Sequence, residues 1–181
     1  MRIISGTYKG RLIKPPKNFR ARPTTDFAKE NLFNILNNHF DFTELDVLDL
    51  FSGTGSISYE FASRECNSVI SVDSNFKHHT FIKKTIESLG FKNIKAIKSD
   101  AFKYVKSCPK KFDIIFADPP YDLPKMDAIP AFILEQDILK KEGWLIVEHG
   151  DKTNFSKNAG FKEMRKYGGV NFSIFEGYKG E

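Results

Sequence analysis

Short apolar runs alternate with segments of helical periodicity along most of the chain, a pattern that predicts parallel strands joined by helices. The predicted strands span residues 46–50, 69–72, 94–98, 112–117, 144–148, 161–167 and 171–178. The predicted helices span residues 56–63, 75–89, 102–107 and 130–140. The pattern therefore predicts an α/β, Rossmann-like fold with a mostly parallel seven-stranded sheet that ends in an antiparallel C-terminal hairpin.

The residues before the first predicted strand have a different character. Residues 2–13 interleave apolar residues, glycines and cations, which favours a small β-hairpin, and residues 28–36 have the apolar spacing of a helix. Thr25 or Asp26 can cap that helix. We therefore expect two parts, a basic hairpin and helix in residues 1–44 and a Rossmann-like domain in residues 45–181.

The net positive charge lies in this N-terminal arm. Residues 1–25 hold seven cations and no acid, whereas the remaining chain holds 21 cations and 23 acids, within a net charge of +5. The cations of the arm are Arg2, Lys9, Arg11, Lys14, Lys17, Arg20 and Arg22. Such an arm is typical of nucleic-acid phosphate binding, which adds salt-sensitive affinity, although a solvated basic tail is the alternative.

A glycine-containing turn, Phe51-Ser52-Gly53-Thr54-Gly55, follows the first predicted strand and precedes a helix. Glycines there let the backbone approach a ligand, and the helix N-terminus offers free N–H groups. The dinucleotide motif fails because Ser58 replaces its third glycine, and no phosphate-loop lysine follows, which disfavours NAD and ATP. Asp49, just before the turn, suits a cationic sulfonium or ammonium group. S-adenosylmethionine, a methyl donor, carries both of these cations. We therefore predict that it binds here, held by Asp49, Phe51, Gly53 and Gly55.

Acids also follow the next two predicted strands. Asp73 lies 18 residues after Gly55, near the offset of about 20 at which an acid binds ribose hydroxyls, although it could instead cap the next helix. In Asp100-Ala101-Phe102, the acid can accept from the adenine amino group and the ring can line the adenine; a helix cap and a core phenylalanine are the alternatives. We expect the strand-end acids at one edge of the sheet: Asp49, Asp73, Asp100 and Asp118.

Asp118-Pro119-Pro120-Tyr121 closes the apolar strand at residues 112–117. An exocyclic amino group on a base must pyramidalise before it can be methylated, and hydrogen-bond acceptors favour that change. Asp118 supplies one acceptor, and the prolines, which lack N–H groups, can leave a backbone carbonyl as a second. Tyr121 can stack an extruded base. We therefore predict catalytic roles for Asp118, Pro119 and Tyr121, although the prolines could merely end the strand.

The remaining composition narrows the class of protein. No apolar run approaches the roughly 20 residues of a membrane span and no signal-peptide core is present, so we expect a cytoplasmic protein. Cys66 and Cys108 form no C-x-x-C pair and the histidines show no ligand spacing, so we expect no metal. Arg22 and the hydroxyl of Thr25, near a helix N-terminus, could reach the donor's carboxylate or a substrate phosphate.

Taken together, the motifs resemble the RsmD family, the bacterial 16S ribosomal RNA (guanine-N2)-methyltransferases. The matching segments are Arg2-Ile3-Ile4-x-Gly6-x-x-Lys9-Gly10-Arg11, Arg22-Pro23-Thr24-Thr25-Asp26, Glu30-x-Leu32-Phe33-Asn34, Asp49 to Gly55 and Asp118 to Tyr121. Many methyltransferases share the two strand-end motifs, whereas the arm and the Arg-Pro-Thr-Thr-Asp segment are the discriminating part. Two positions depart from the family pattern, since Phe27 replaces a usual arginine and Ser5 a frequent glycine.

The resemblance implies a class I methyltransferase fold, S-adenosylmethionine as methyl donor and one guanine of 16S rRNA as acceptor, in the small ribosomal subunit or an assembly intermediate. A monomer is expected. Direct displacement onto guanine N2 needs no covalent enzyme intermediate. The predicted RNA contacts are Arg2, Lys9, Arg11, Arg20, Arg22 and Tyr121. Two alternatives remain, a DNA adenine-N6 methyltransferase and a non-catalytic RNA-binding assembly factor.

Overall fold

The computed structural model describes residues 1–17, 19 and 24–177. The helices are α1 (Asp26–Asn37), α2 (Ser56–Ser63), α3 (Phe76–Leu89), α4 (Ala101–Ser107) and α5 (Ile129–Leu134). The strands are β1 (Asp46–Leu50), β2 (Ser68–Asp73), β3 (Ile94–Lys98), β4 (Phe112–Ala117), β5 (Leu139–His149), β6 (Phe161–Tyr167) and β7 (Val170–Glu176). Short 3-10 helices span Phe42–Glu44 and Met126–Ala128.

The seven strands form one sheet in the order β3-β2-β1-β4-β5-β7-β6. β1 pairs in parallel with both β2 and β4, so the winding of the chain reverses direction between β1 and β4. β7 runs antiparallel to β5 and β6. This arrangement confirms the predicted mostly parallel sheet with its C-terminal hairpin. In open sheets of this kind, ligands bind in a crevice outside the carboxyl ends of the two strands at such a reversal, here β1 and β4.

The prediction for residues 130–140 is wrong in its second half. Helix α5 ends at Leu134, and β5 already begins at Leu139, which pairs with Phe112 of β4. Asp137 between them has a φ of 52°, which cannot continue a right-handed helix. The apolar pair at 138 and 139 is therefore buried beside the sheet instead of extending the helix. At the C-terminal end, the predicted last strand reached Tyr178, which lies outside the described residues.

Alternate residues of each central strand face opposite sides of the sheet and enter two hydrophobic clusters. On one side, Val47 and Ile114 pack with α1, α2 and α3 through side chains such as Leu32 and Phe61. On the other side, residues of the same strands pack with α4 and α5, and these include Leu48, Ile115, Val105 and Ile133. Helices therefore cover both faces of the sheet.

The N-terminal arm forms the predicted hairpin, with an antiparallel bridge between Arg2 and Leu12. Ile3 and Ile13 are buried in the same cluster as α1 and α2. The turn of the hairpin rests on the end of α2, because the Thr7 N–H donates to the Ser63 carbonyl at 2.8 Å. The arm is thus packed against α2 of the Rossmann-like part. The predicted boundary between the two parts, at residues 44 and 45, remains a prediction.

A buried carboxylate on α2 attaches the arm more firmly. Glu60 is buried and accepts hydrogen bonds from the backbone N–H groups of Ile4 at 2.8 Å and Ser5 at 3.0 Å. The buried Lys29 of α1 lies 3.8 Å from the same carboxylate and donates to the Arg2 carbonyl at 2.7 Å. Desolvation lowers the pKa of Lys29 despite the nearby charge of Glu60. This pair joins arm, α1 and α2 at one point.

Candidate functional site

The turn between β1 and α2 has positive φ angles, which its glycines adopt readily. Phe51, Gly53 and Gly55 have φ values of 58°, 54° and 78°. A Cβ on Gly55 would lie 2.7 Å from the ring of Tyr59, so no other residue fits without displacing that side chain. The turn therefore brings bare backbone to the crevice above β1.

Asp49 is buried and accepts hydrogen bonds from α2. Its Oδ2 accepts hydrogen bonds from the backbone N–H of Ser58 at 3.1 Å and from the Ser58 hydroxyl. Ser58, which broke the dinucleotide motif, is thus the partner of Asp49. Burial raises the pKa of Asp49 to about 7 against these bonds, and the negative charge of Asp73 acts in the same direction as burial. Asp49 is only 1% exposed, and its predicted contact with a cationic donor stays a prediction.

Asp73 lies across the mouth of the crevice. Its Oδ2 accepts from the Gly53 N–H at 2.8 Å, and its Oδ1 accepts from the Asn75 N–H at 2.7 Å. Helix α3 is capped by the Asn75 side chain, so the capping alternative for Asp73 is wrong. The His78 Nδ1 lies 3.3 Å from Asp73 Oδ2, and Phe19 of the arm packs on the His78 ring at 5.0 Å. Asp73 thus holds the glycine turn, and its predicted contact with a ribose stays a prediction.

Asp100 follows β3, where the N–H of the preceding Ser99 donates to the Asp73 carbonyl at 3.2 Å. Asp100 is exposed and caps α4, because its Oδ1 accepts from the Lys103 N–H at 2.9 Å, as the capping alternative predicted. Ala101 behind it is buried. The Phe102 ring packs edge-on with the rings of Phe51 and Phe132, at centroid distances of 6.0 Å and 5.2 Å respectively. These three rings form an apolar wall beside the crevice, and Phe132 was not anticipated from the sequence.

Asp118 follows β4 at the edge of the same crevice, and its N–H donates to the Leu50 carbonyl at 3.4 Å. Burial raises the pKa of Asp118 well above its usual range, and the charges of Glu148 and Asp49 raise it further. Pro119 is buried behind it. A carboxyl group with a raised pKa is a strong hydrogen-bond acceptor and proton acceptor once it is ionised.

Glu148, near the end of β5, is the main residue that sequence reasoning missed. It is only 3% exposed and accepts hydrogen bonds from the Thr24 hydroxyl at 2.7 Å and the Tyr121 hydroxyl at 3.3 Å. The Tyr121 ring itself is 52% exposed and lies over Gly150, where a Cβ would be 3.3 Å away. The Glu148 carboxylate therefore links Thr24, which lies just before α1, to Tyr121, the residue predicted to stack the base.

The remaining predicted residues lie at the start of α1 and on the arm. Thr25 caps α1, since its hydroxyl accepts from the Ala28 N–H at 3.1 Å, so its predicted role at the donor stays a prediction. Arg2, Lys9 and Arg11 are exposed on the arm. Met1 reaches the glycine turn, where the Thr54 hydroxyl donates to its Sδ at 3.3 Å. The predicted contacts Arg20 and Arg22 lie outside the described residues.

Comparison with known proteins decides the family. The sequence profile of the family described as "Conserved hypothetical protein 95" matches residues 1–176. The chain belongs to this family, the RsmD family. It is 33% identical to the putative rRNA methyltransferase YlbH of Bacillus subtilis, over 97% of this chain and 98% of that protein. It is 29% identical to ribosomal RNA small subunit methyltransferase D of Escherichia coli, over 82% and 71% respectively.

Solved structures share the fold of this RsmD-family chain. The putative methyltransferase yhhF from Escherichia coli superposes with a TM-score of 0.83 at 24% identity, covering 97% of both chains. The 16S rRNA N2 methyltransferase RsmC of Thermus thermophilus, solved with AdoMet and guanosine, gives 0.70 at 19% identity over 88% of this chain and 45% of that one. The fold is that of class I methyltransferases. Across the described ranges, no helix is both long and apolar enough to cross a membrane.

Proposed function

We propose that this protein transfers a methyl group from S-adenosylmethionine to the exocyclic N2 of a guanine in 16S rRNA. The observation that carries the proposal is the convergence of β1, β4 and β5, which buries Asp118 and brings Glu148 and Asp49 close to it, so that burial and these charges raise the pKa of Asp118. The relatives named as rRNA methyltransferases and the neighbour solved with AdoMet and guanosine support the same chemistry.

The residues around the β1 crevice fit the methyl donor. Asp73 presents a carboxylate for ribose hydroxyls, and Phe51, Phe102 and Phe132 offer an apolar wall for adenine. The bare backbone at Gly53 and Gly55 permits close approach, and Asp49 adds negative charge below it. Bound there, S-adenosylmethionine would supply an electrophilic methyl group on a sulfonium.

Asp118, Pro119 and Tyr121 would hold the acceptor base. The ionised Asp118 and the Pro119 carbonyl accept hydrogen bonds from the amino group, which localises the lone pair of N2. Transfer forms the N2–methyl bond and breaks the sulfur–methyl bond, and the surplus proton of N2 passes to Asp118 or to water. Tyr121 stacks the base, while Glu148 fixes the tyrosine hydroxyl.

The arm would hold the RNA around that base. Its exposed cations, Arg2, Lys9 and Arg11, can neutralise phosphates without reading sequence. The proposed substrate is the small ribosomal subunit or an assembly intermediate, and the protein is proposed to act as a monomer.

A direct test is to offer labelled S-adenosylmethionine with three substrates: small subunits lacking the modification, deproteinised 16S rRNA and DNA. We expect label in 16S rRNA, recovered as N2-methylguanosine in digested nucleosides by mass spectrometry. Label as N6-methyladenine in DNA would instead identify the alternative enzyme. Calorimetry without donor binding would point to a non-catalytic factor.

A further inference from the structure

An exposed aromatic side chain stands beside the candidate site without a role in it. Phe27, the second residue of α1, is 62% exposed. Its ring meets that of Tyr167 edge-on, with centroids 6.3 Å apart and planes at 82°. Tyr167 in turn packs on the core and lies 6.1 Å from the buried Phe172. Phe27 is thus the exposed ring of a pair, and its partner Tyr167 is held against the core.

The topology puts this pair at the catalytic edge of the sheet. Glu148 of β5 pairs with Phe172 of β7, and Tyr167 of β6 pairs with Val170 of β7. Tyr167 therefore lies at the same edge of the sheet as Glu148. Two strand spacings, from β5 across β7 to β6, separate them by about 10 Å. Phe27 is also three residues from Thr24, whose hydroxyl binds Glu148. The rings flank the predicted base site on the side opposite the donor crevice.

The surroundings of Phe27 carry both signs of charge, because Asp26 and the exposed Glu30 lie on α1 and the exposed Arg2 lies on the arm. The backbone N–H of Arg2 donates to the Asp26 carboxylate at 3.4 Å, and Arg2 forms a β-bridge with Leu12, which is 69% exposed. A single exposed phenylalanine is ordinary on a protein surface. Exposed rings interleaved with cations beside a nucleic-acid site are what unpaired bases and their phosphates bind. The position beside the predicted base site favours RNA over a protein partner.

We propose that Phe27, backed by Tyr167, stacks an unpaired nucleobase of the RNA next to the guanine that enters the Asp118 site. The proposal rests on the proposed function and specifies its substrate: the target guanine lies in a single-stranded or looped segment. Arg2 neutralises the phosphate of the stacked nucleotide.

The test compares Phe27→Leu, which keeps an apolar side chain without a ring, with Phe27→Trp, which keeps the ring. Phe76→Leu is the matched control, because Phe76 is 65% exposed in the first turn of α3. Equilibrium binding is measured with an RNA fragment of the mapped methylation site. We expect Phe27→Leu to bind about 5- to 150-fold more weakly, and Phe27→Trp and Phe76→Leu to bind like the unchanged protein.

Abasic substitution of each nucleotide near the guanine then identifies the stacked base. At that position the loss caused by Phe27→Leu should vanish, since the ring has nothing left to contact. Equal affinities of Phe27→Leu and the unchanged protein, or an unaltered loss with every abasic RNA, would overturn the stacking proposal while methyl transfer persists. Absence of transfer to 16S rRNA by the unchanged protein would overturn both. Thermal unfolding midpoints verify that the variants are folded.

Discussion

Asp118 combines a raised pKa with a position at the strand end, and both matter for catalysis. A neutral carboxyl cannot take up the proton of N2, so we expect the single-turnover rate to rise with pH as Asp118 ionises, at values above the ordinary carboxyl range. The positive sulfonium would favour the ionised form and shift this rise to lower pH when the donor is bound.

Replacement of Asp118 tests that role. Asp118→Asn keeps the shape and one acceptor oxygen but cannot accept a proton, so we expect single-turnover methyl transfer to fall by roughly 10²- to 10⁴-fold while donor binding by calorimetry persists. The neighbouring, exposed Asp122 offers a matched control, and Asp122→Asn should transfer at the normal rate. A normal rate for Asp118→Asn as well would remove Asp118 from the mechanism.

Asp49 makes the stability of the free protein depend on pH. Its pKa is about 7 when folded, against an ordinary value near 4 when unfolded, so the folded state binds the extra proton between these values. Its contribution to stability is therefore present at low pH and is lost as pH rises from about 4 to 7, on the order of 4 kcal/mol.

The corresponding variant is Asp49→Asn, whose side-chain carbonyl can still accept from Ser58. We expect its unfolding midpoint to fall less than that of the unchanged protein between pH 5 and pH 8. Chemical unfolding followed by circular dichroism across this range gives the comparison. Parallel pH profiles for the two proteins would mean that Asp49 does not titrate there.

At the scale of elements, the hairpin of the arm depends on a close approach to α2 at Gly6. A Cβ on Gly6 would lie 1.8 Å from the Ser63 carbonyl oxygen, and its φ is +81°. Gly6→Ala should push the hairpin off α2 and destabilise the protein by roughly 3 kcal/mol, measured by urea unfolding.

Gly10→Ala separates contact from backbone strain. Gly10 has nearly the same φ, +83°, but nothing lies within 4 Å of its would-be Cβ. We therefore expect Gly10→Ala to cost only the strain of the left-handed conformation, about 1 kcal/mol. Equal losses in the two variants would show that the contact with Ser63 does not hold the arm.

Elements were predictable where the sequence marks both of their ends. Strand β4 lies between Lys111 and Asp118, and α2 starts directly after the glycine turn, so both match the prediction. The boundary between α5 and β5 carries no such mark, because Asp137 adopts a positive φ that glycine usually signals. Periodicity alone cannot assign the apolar pair that follows it.

The site was predictable to the extent that it is built from strand ends. Glu148 ends a predicted strand, so the rule that found Asp118 applied to it too. Thr24 could not be found in this way, since its hydrogen bond to Glu148 joins residues 124 positions apart. Phe132 was likewise hidden, because its ring meets Phe102 only after α5 packs on the sheet.

For the whole molecule, the distribution of charge predicts how RNA binding depends on salt. Each arm cation that neutralises a phosphate should contribute about 0.7 to the slope of log affinity against log salt concentration for single-stranded RNA. Lys9→Ala and Arg11→Ala should each reduce the slope by that amount in filter-binding titrations. Lys83→Ala, on the exposed face of α3, should leave it unchanged, and an equal reduction there would mean that the arm is not the phosphate-binding element.

The shared core has a consequence for truncation. Phe33 of α1 lies 4.6 Å from Phe61 of α2, ring centroid to ring centroid, and the first strand of the arm is tied to Glu60 of the same helix. Because α2 is buried along its whole length, removing residues 1–44 would expose this helix to water. Arm, α1 and sheet should therefore unfold as one cooperative unit, and residues 45–181 expressed alone should aggregate rather than yield a minimal catalytic core.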